Sequence, residues 1–208
     1  MLQIKGLKHS YDAKRDISYP DWEVNQGNHS IILGNSGCGK TTLLHLIGGL
    51  MPPKSGLLQV AGQDLASFSN AKLDRFRGEN IGIVFQKPHL VRSLSVKENL
   101  MLSQYLGKKK TDAKRVEQVL NHLGIQELSN RKIHEISQGQ AQRVSIARAV
   151  INSPKLLLAD EPTASLDDEN CQKVIDLLKS QAEETGATLI VATHDHRVKS
   201  EFQNQLPL

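Results

Sequence analysis

The chain has 208 residues, with 26 Lys and Arg against 22 Asp and Glu for a net charge of +4, a length that buries a sizeable core and suits one domain with an inserted lobe. The charge is mild and scattered apart from Lys108, Lys109 and Lys110, which read as a solvated loop between Gly107 and Thr111, so no nucleic-acid partner is expected. The first ten residues lack the apolar core of a signal peptide, no stretch reaches the roughly 18 apolar residues of a membrane span, and the two cysteines, Cys38 and Cys171, lack metal-type spacing, which suits a reducing setting and a membrane role only through a partner.

Leu2, Ile4 and Leu7 begin an edge of the fold, and residues 17–24 predict a second, antiparallel extended piece after a polar turn over 9–16. Tyr11 stands in that turn, where its ring can offer a flat surface to a purine or simply pack. The apolar run Ile31, Ile32, Leu33 then predicts a short buried strand, residues 42–47 a helix, and between them lies GNSGCGKTT. This spacing of Gly34, Gly39, Lys40 and Thr41 fits a phosphate loop. Gly34, Gly37 and Gly39 let successive backbone N–H groups turn inward toward phosphate oxygens, and the helix start adds partial positive charge. Lys40 can reach the outer phosphates and the Thr41 hydroxyl can sit on Mg²⁺. Cys38, inside this loop, reads either as an oxidation-sensitive thiol or as a small residue tolerated there.

Gly48 and Gly49 stop the first helix, Pro52 and Pro53 keep it from resuming, and residues 56–60 alternate as a strand. A short helix is expected over 70–76 and a buried strand over 81–85, which leaves Gln86 at a strand's carboxyl end, where open α/β sheets place ligand groups. From 88 to 150 the character is helical. Ser95 and Glu98 have capping-box spacing ahead of a helix over 99–106 that stops at Gly107, and Val116, Val119, Leu120 and Leu123 make one stripe of a helix over 112–123. The stretch ISQGQAQRVSIARAV opens another helix with Ser137 at its N-cap and Gln140 three residues on. These residues read as a well-capped helix or, with Gly139 beside the exposed N–H groups, as a second anion site.

Residues 155–160, KLLLAD, predict a strand buried on both faces. Its terminal Asp160 is expected near Thr41, where Mg²⁺ needs a carboxylate, and Glu161 one residue on is placed to accept a proton from attacking water. Asp167, Asp168 and Glu169 open a helix to about 184, and the buried strand 188–193 ends at His194, where an imidazole can bond a terminal phosphate or the attacking water.

In this order the residues resemble the nucleotide-binding subunits of ATP-binding-cassette transporters across nearly the whole chain. GNSGCGKTT is similar to the Walker A loop, Gln86 to the Q-loop, ISQGQ to the signature motif, LLLADEP to the Walker B strand, SLD at 165–167 to the D-loop and His194 to the switch histidine, and Tyr11 falls where the family keeps its adenine-stacking aromatic. The resemblance implies an α/β fold: a P-loop NTPase (RecA-like) core with a mainly parallel sheet, an antiparallel β edge subdomain and an inserted helical lobe. Residues 1–86 and 151–208 would form the core and 87–150 the lobe. It implies ATP and Mg²⁺, with ATP held by Tyr11, Gly34, Asn35, Ser36, Gly37, Cys38, Gly39, Lys40, Thr41 and Thr42 of one protomer and by Ser137, Gly139 and Gln140 of a second, identical or related, ATPase subunit. Lys40 and the loop amides would stabilise the transferring phosphate, Thr41, Asp160 and Gln86 hold Mg²⁺, Glu161 polarise water and His194 steady the γ-phosphate. A transmembrane permease subunit would dock around Gln86 and residues 90–100, placing the chain at the inner face of the cell membrane.

The stretch FRGENIGIVFQKPHLVRSLSVKENLML is most similar to ATPases of the lipoprotein-releasing, macrolide-exporting and cell-division group. Two departures stand out. Gln138 replaces the first of the signature's usual two glycines, where its side chain either crowds the phosphate contact or points to solvent. The chain also stops after HDHRVKSEFQNQLPL, and without further strands a sheet edge is expected to be bare or covered by a partner. The competing readings are a soluble ATPase of this fold acting on nucleic acid or ribosomes, and a regulatory protein with weakened catalysis.

Overall fold

Consecutive residues of a strand face opposite sides, so uninterrupted apolar runs such as 156–159 and 189–192 require a sheet covered on both faces. The computed structural model, which describes residues 1–11, 16–164 and 166–208, has such a sheet.

The chain opens with β1 (Leu2–Ser10), to which β2 (Asp16–Ser18) and β3 (Trp22–Val24) pair antiparallel. The single extended piece expected over 17–24 is thus two strands, because Pro20 between them has no N–H for a ladder. The turn expected over 9–16 falls mostly on residues 12–15, outside the described ones, and β1 itself runs to Ser10. Then come β4 (Ser30–Leu33), α1 (Lys40–Ile47), β5 (Ser55–Val60) and β6 (Gln63–Asp64), the last two completing the antiparallel sheet beside β1.

Next, α2 (Asn70–Asn80) continues beyond the expected end at Phe76 because the Arg77 guanidinium reaches back to the Gly49 carbonyl at 3.0 Å and Asn152 donates to the Gly78 carbonyl at 3.1 Å. The strand β7 (Ile81–Val84) stops before Phe85. Three helices follow, α3 (Val96–Leu106), α4 (Ala113–His122) and α5 (Gln138–Val150), all between β7 and β8 (Leu156–Asp160) in the chain although these two strands are parallel neighbours. Ser95 and Glu98 form the expected capping box, and it starts α3 at Val96 rather than at 99. The chain closes with α6 (Asp168–Thr185), β9 (Thr188–Thr193) and β10 (Asn204–Pro207).

The second sheet runs β10-β4-β9-β8-β7, with every neighbouring pair parallel. The last described residues supply the outer strand on this side: Asn204–Pro207 pair with β4, the Leu208 N–H donates to the Leu33 carbonyl at 2.7 Å, and β10 has no described strand on its other side.

Alternation along the central strands divides the core. Ile32, Leu156, Leu158, Ile190 and Ala192 pack with Leu43, Leu44 and Ile47 of α1, and α1 is covered in turn by Leu2, Ile4, Leu58 and Val60 of the antiparallel sheet. Ile31, Leu33, Leu157, Ala159, Leu189 and Val191 point the other way, into a cluster with α3, α4, α5 and α6. Here β7 meets α5 backbone to backbone, for a β-carbon at Gly82 would collide with the Ala149 carbonyl. The fold is therefore a P-loop NTPase arrangement of parallel sheet, antiparallel edge sheet and helical insertion. The adjacent strands β4, β9 and β8 deliver the phosphate loop, His194 and Asp160–Glu161 to one rim.

Candidate active site

The loop from Gly34 to Gly39 joins β4 to α1, and Lys40 is the helix's first residue, earlier than the expected start at 42. Gly39 sits at the N-cap with φ 105°, a left-handed conformation that a β-carbon makes costly, and no side chain caps the first turn. The N–H groups of that turn point to the rim unclaimed by any cap, as an anion site requires.

A β-carbon at Gly39 would also approach the Tyr19 hydroxyl, which donates to the Gly39 carbonyl at 3.2 Å and straps the loop to the antiparallel sheet. Burial disfavours the phenolate and pushes the Tyr19 pKa from 10.0 up to about 12. The folded protein thus holds this proton more tightly than the unfolded chain does. Its contribution to stability is whole below pH 10 and is lost as pH rises toward 12. A tyrosinate absorbance titration should show a step near pH 12 that disappears in Tyr19→Phe.

Lys40 is 5% exposed, and its ammonium donates to the Gly34 and Asn35 carbonyls at 2.8 and 3.1 Å while lying 3.5 Å from Glu161 Oε1. The Thr41 hydroxyl donates to Asp160 Oδ1 at 3.1 Å. Burial at the end of β8 raises the Asp160 pKa, and the Thr41 bond offsets that only in part. A buried carboxylate beside a hydroxyl is a hard-oxygen pair that a cation would relieve. Among the described residues no group of three or more His, Cys, Asp or Glu is placed to hold a metal. That set fits Mg²⁺, which keeps phosphate and water oxygens in its shell, better than an ion needing a full protein cage.

Glu161, one residue on, has the opposite environment. Its burial would raise the pKa, yet bonds from His194 and Thr193 and the charge of Lys40 outweigh burial and lower it. Oε1 lies 2.9 Å from His194 Nδ1, while Oε2 accepts from the Thr193 hydroxyl at 2.8 Å and the His194 N–H at 3.4 Å. Two adjacent acids are thereby pushed apart in character, one seeking a cation and one held ionised. Glu161 also has a left-handed backbone, φ 46°.

A cavity of about 310 Å³ gathers these groups, with Tyr11, Ser36, Gly37, Gly39, Lys40, Thr41, Thr42, Gln86, Glu161 and His194 on its walls. The Tyr11 hydroxyl is 2.8 Å from Thr42 Oγ1 and its ring stands edge-on to His9, so the aromatic plane is fixed at the mouth while 67% of the residue stays exposed. Gln86 is exposed just past β7, and Cys38 is a half-exposed free thiol.

Ser137, Gly139 and Gln140 are not brought to this cavity. Ser137 caps α5 in a full capping box with Gln140, its Oγ accepting the Gln140 N–H at 3.2 Å and its own N–H reaching Gln140 Oε1 at 2.9 Å. Ser137, Gln138 and Gly139 are exposed, and a β-carbon at Gly139 would meet open space. Gln138 therefore crowds nothing within its own chain. Of the residues likened to the D-loop, Ser165 lies outside the described ones, and Asp167 is the N-cap of α6.

Sequence reasoning missed Tyr19, Thr193, Asp195 and Arg197, which hold the machinery from behind. The one available signal was Thr193, a hydroxyl residue closing a buried strand beside His194.

A second concavity of about 620 Å³ lies between α2, β7, α3 and α5. Leu50, Phe85, Val91, Leu102 and Leu106 give it an apolar lining, and Arg77, Arg148, His89 and Asn152 add polar groups. Leu50, Val91 and Leu106 are among the exposed large apolar residues of the molecule. No described helix is long and apolar enough to cross a membrane.

The sequence profile of the ABC transporter family matches residues 17–164. The lipoprotein-releasing system ATP-binding protein LolD of Idiomarina loihiensis is 37% identical over 98% of this chain and 92% of its own length. An uncharacterized ABC transporter ATP-binding protein, YknY of Bacillus subtilis, is 36% identical over 95% of this chain and 88% of its own. Among solved structures, the dimeric bacterial ABC transporter cassette MJ0796 superposes with a TM-score of 0.89 at 31% identity, covering 100% of this chain and 94% of that one. The same cassette has been described as a dimer in a post-hydrolysis state bound to ADP and Pi, again with a TM-score of 0.89 and 31% identity over 100% of this chain and 94% of that one. With the phosphate loop, the paired acids and the histidine on one rim, and with this likeness along the whole chain, the protein belongs to the ABC transporter family as an ATP-binding and ATP-hydrolysing subunit that powers transport.

Proposed function

We propose that two copies of this chain, or this chain and a related one, close face to face on two ATP molecules, each held by the phosphate loop of one protomer and the Ser137, Gly139 and Gln140 helix start of the other. The observation that carries this reading is a separation within one chain. The cavity holds Lys40, Thr41, Gln86, Glu161 and His194, whereas Ser137, Gln138 and Gly139 lie at the surface and border no part of it. A capped helix start that presents a bare glycine to solvent is half of an anion site, and the similar cassette is described as a dimer.

Within each pocket Tyr11 stacks on the purine, the amides of residues 34–42 take the phosphates, and Lys40 exchanges its carbonyl partners for outer phosphate oxygens. Thr41, Asp160 and Gln86 hold Mg²⁺, which when bound neutralises charge on those oxygens. Glu161 orients a water and takes its proton as that oxygen bonds to the γ-phosphorus and the bond to the ADP oxygen breaks, releasing ADP and phosphate. His194 keeps Glu161 and the γ-phosphate in line.

The apolar concavity beside Gln86 receives a cytoplasmic helix of a transmembrane permease subunit, so the chain works at the inner face of the membrane. The likeness to lipoprotein-releasing ATPases supports extraction or export of an envelope substrate over import.

Sedimentation tests the shared pocket. Glu161→Gln with Mg²⁺ and ATP should dimerise, and adding Gly139→Asp should weaken that dimer at least about tenfold by setting a carboxylate against the γ-phosphate. ATP binding by the monomer should persist. A Gly139→Asp dimer as tight as its parent would end this reading.

A further inference from the structure

Glu161 is held from behind by hydrogen bonds that end on a side chain without a place in the phosphate chemistry. The Thr193 hydroxyl has one proton to give. Its oxygen accepts the Asp195 N–H at 3.0 Å, and its proton goes to Glu161 Oε2 at 2.8 Å. Asp195 in turn is fixed by Arg197, whose Nε donates to Oδ1 at 2.9 Å and whose Nη2 donates to Oδ2 at 2.7 Å. The Thr163 hydroxyl adds a bond to Oδ2 at 3.1 Å. The guanidinium also donates to the Leu166 carbonyl at 3.2 Å and to the Asp168 carboxylate. One planar fork thus grips both the turn after β9 and residues on the far side of Glu161.

The backbone of Glu161 calls for such a grip. Its φ of 46° is one that a residue with a β-carbon holds only where neighbours over-determine it. On the sheet side the Glu161 N–H is tied to the Ala192 carbonyl at 2.8 Å. On the α5 side Gln142 donates to the Pro162 carbonyl. Arg197 supplies the hold from the α6 side. With its side chain 42% exposed, its ion pairs are screened and add little to global stability. Their value is directional, because five donors in a rigid plane hold several acceptors in one fixed geometry, whereas the three donors of an ammonium turn freely on a flexible stem.

We propose that Arg197 is a positioning residue for ATP hydrolysis: by clamping Asp195 to Leu166 and Asp168 it keeps Thr193 aimed at the Glu161 carboxylate. This rests on Glu161 being the group that orients water.

The test compares Arg197→Met and Arg197→Lys with the parent in the full chain. Loosening a reacting group by a fraction of an ångström lowers rate without lowering affinity, so kcat for Mg²⁺-ATP should fall about tenfold in both variants. KM for ATP, and the ATP-driven dimer measured in a Glu161→Gln background, should stay within about twofold. Lysine should fail to rescue because it keeps the charge and loses the fork. The inference is overturned if kcat stays within twofold in either variant, or if the fall in kcat comes with a rise in KM or a loss of dimer affinity beyond twofold, as a general loosening of the fold would produce. Glu161→Gln alone separates the two levels of argument. If it hydrolyses ATP at the parent rate, the role of Glu161 fails and the inference with it. If it is inert while the Arg197 variants are normal, only the inference fails.

Discussion

Glu161→Gln should cut ATP turnover by roughly 10²-fold or more and leave ATP binding intact. The amide is nearly the shape of the carboxylate and can still accept the Thr193 hydroxyl, so the rim keeps its form. It cannot take a proton from water. It also no longer draws on Lys40, whose ammonium lies 3.5 Å from Oε1, so the lysine is freer to meet phosphate and affinity should not drop. Phosphate release and equilibrium nucleotide binding, measured on the same preparation, check both halves. Turnover near the parent rate would remove Glu161 from the reaction.

Lys40→Met should do the reverse, weakening ATP itself. The residue is 5% exposed, so its charge meets phosphate in a poorly solvated place, where losing one partner of a charge-assisted bond costs about 2–4 kcal/mol, or roughly 30- to 1000-fold in Kd. Methionine keeps the aliphatic stem, so the loss reflects the ammonium more than packing. The substitution has a second effect that the glutamate variant lacks. The Gly34 and Asn35 carbonyls each lose a charged donor and Glu161 loses a cation, which should also lower the unfolding midpoint. Calorimetric titration with ATP is the direct measurement, and a Kd within threefold of the parent would show that Lys40 does not carry the phosphate contact.

Much of the fold was legible because the central strands leave no choice. Residues 156–159 and 188–193 are buried on both faces, and only a covered parallel sheet accommodates that. Two caps were legible from spacing, since Ser95 and Ser137 each accept a backbone N–H of the first helical turn; Asp112 and Asp167, read as the first residues of their helices, prove to cap them from one residue earlier. The strand β10 was not. Of its four residues only Leu206 is buried, and Pro207 argues against a ladder, so its extended form is imposed by the open edge of β4. Helix α2 buries no residue fully and carries Gly78, so nothing local marks its true end.

At the cavity, the spacing of the phosphate loop was enough to bring Ser36, Gly37, Gly39, Lys40, Thr41 and Thr42 to one wall. Ser137 to Gln140 stay apart from that cavity because α5 starts at the surface away from the phosphate loop, and only the proposed dimer gives them a place in the site. Tyr19, Asp195 and Arg197 were invisible because each acts on a backbone carbonyl or on another side chain, and no spacing rule encodes such indirect holds.

The pairing of the last strand carries a practical warning. The Leu208 carbonyl fills the space that a β-carbon on Gly34 would need, coming within 2.7 Å of it, while its N–H is bonded to Leu33 at the root of the same loop. Leu208 is in effect a shim under the phosphate loop. Replacing Leu206 in the strand that holds it there should disturb ATP binding from outside every recognisable motif.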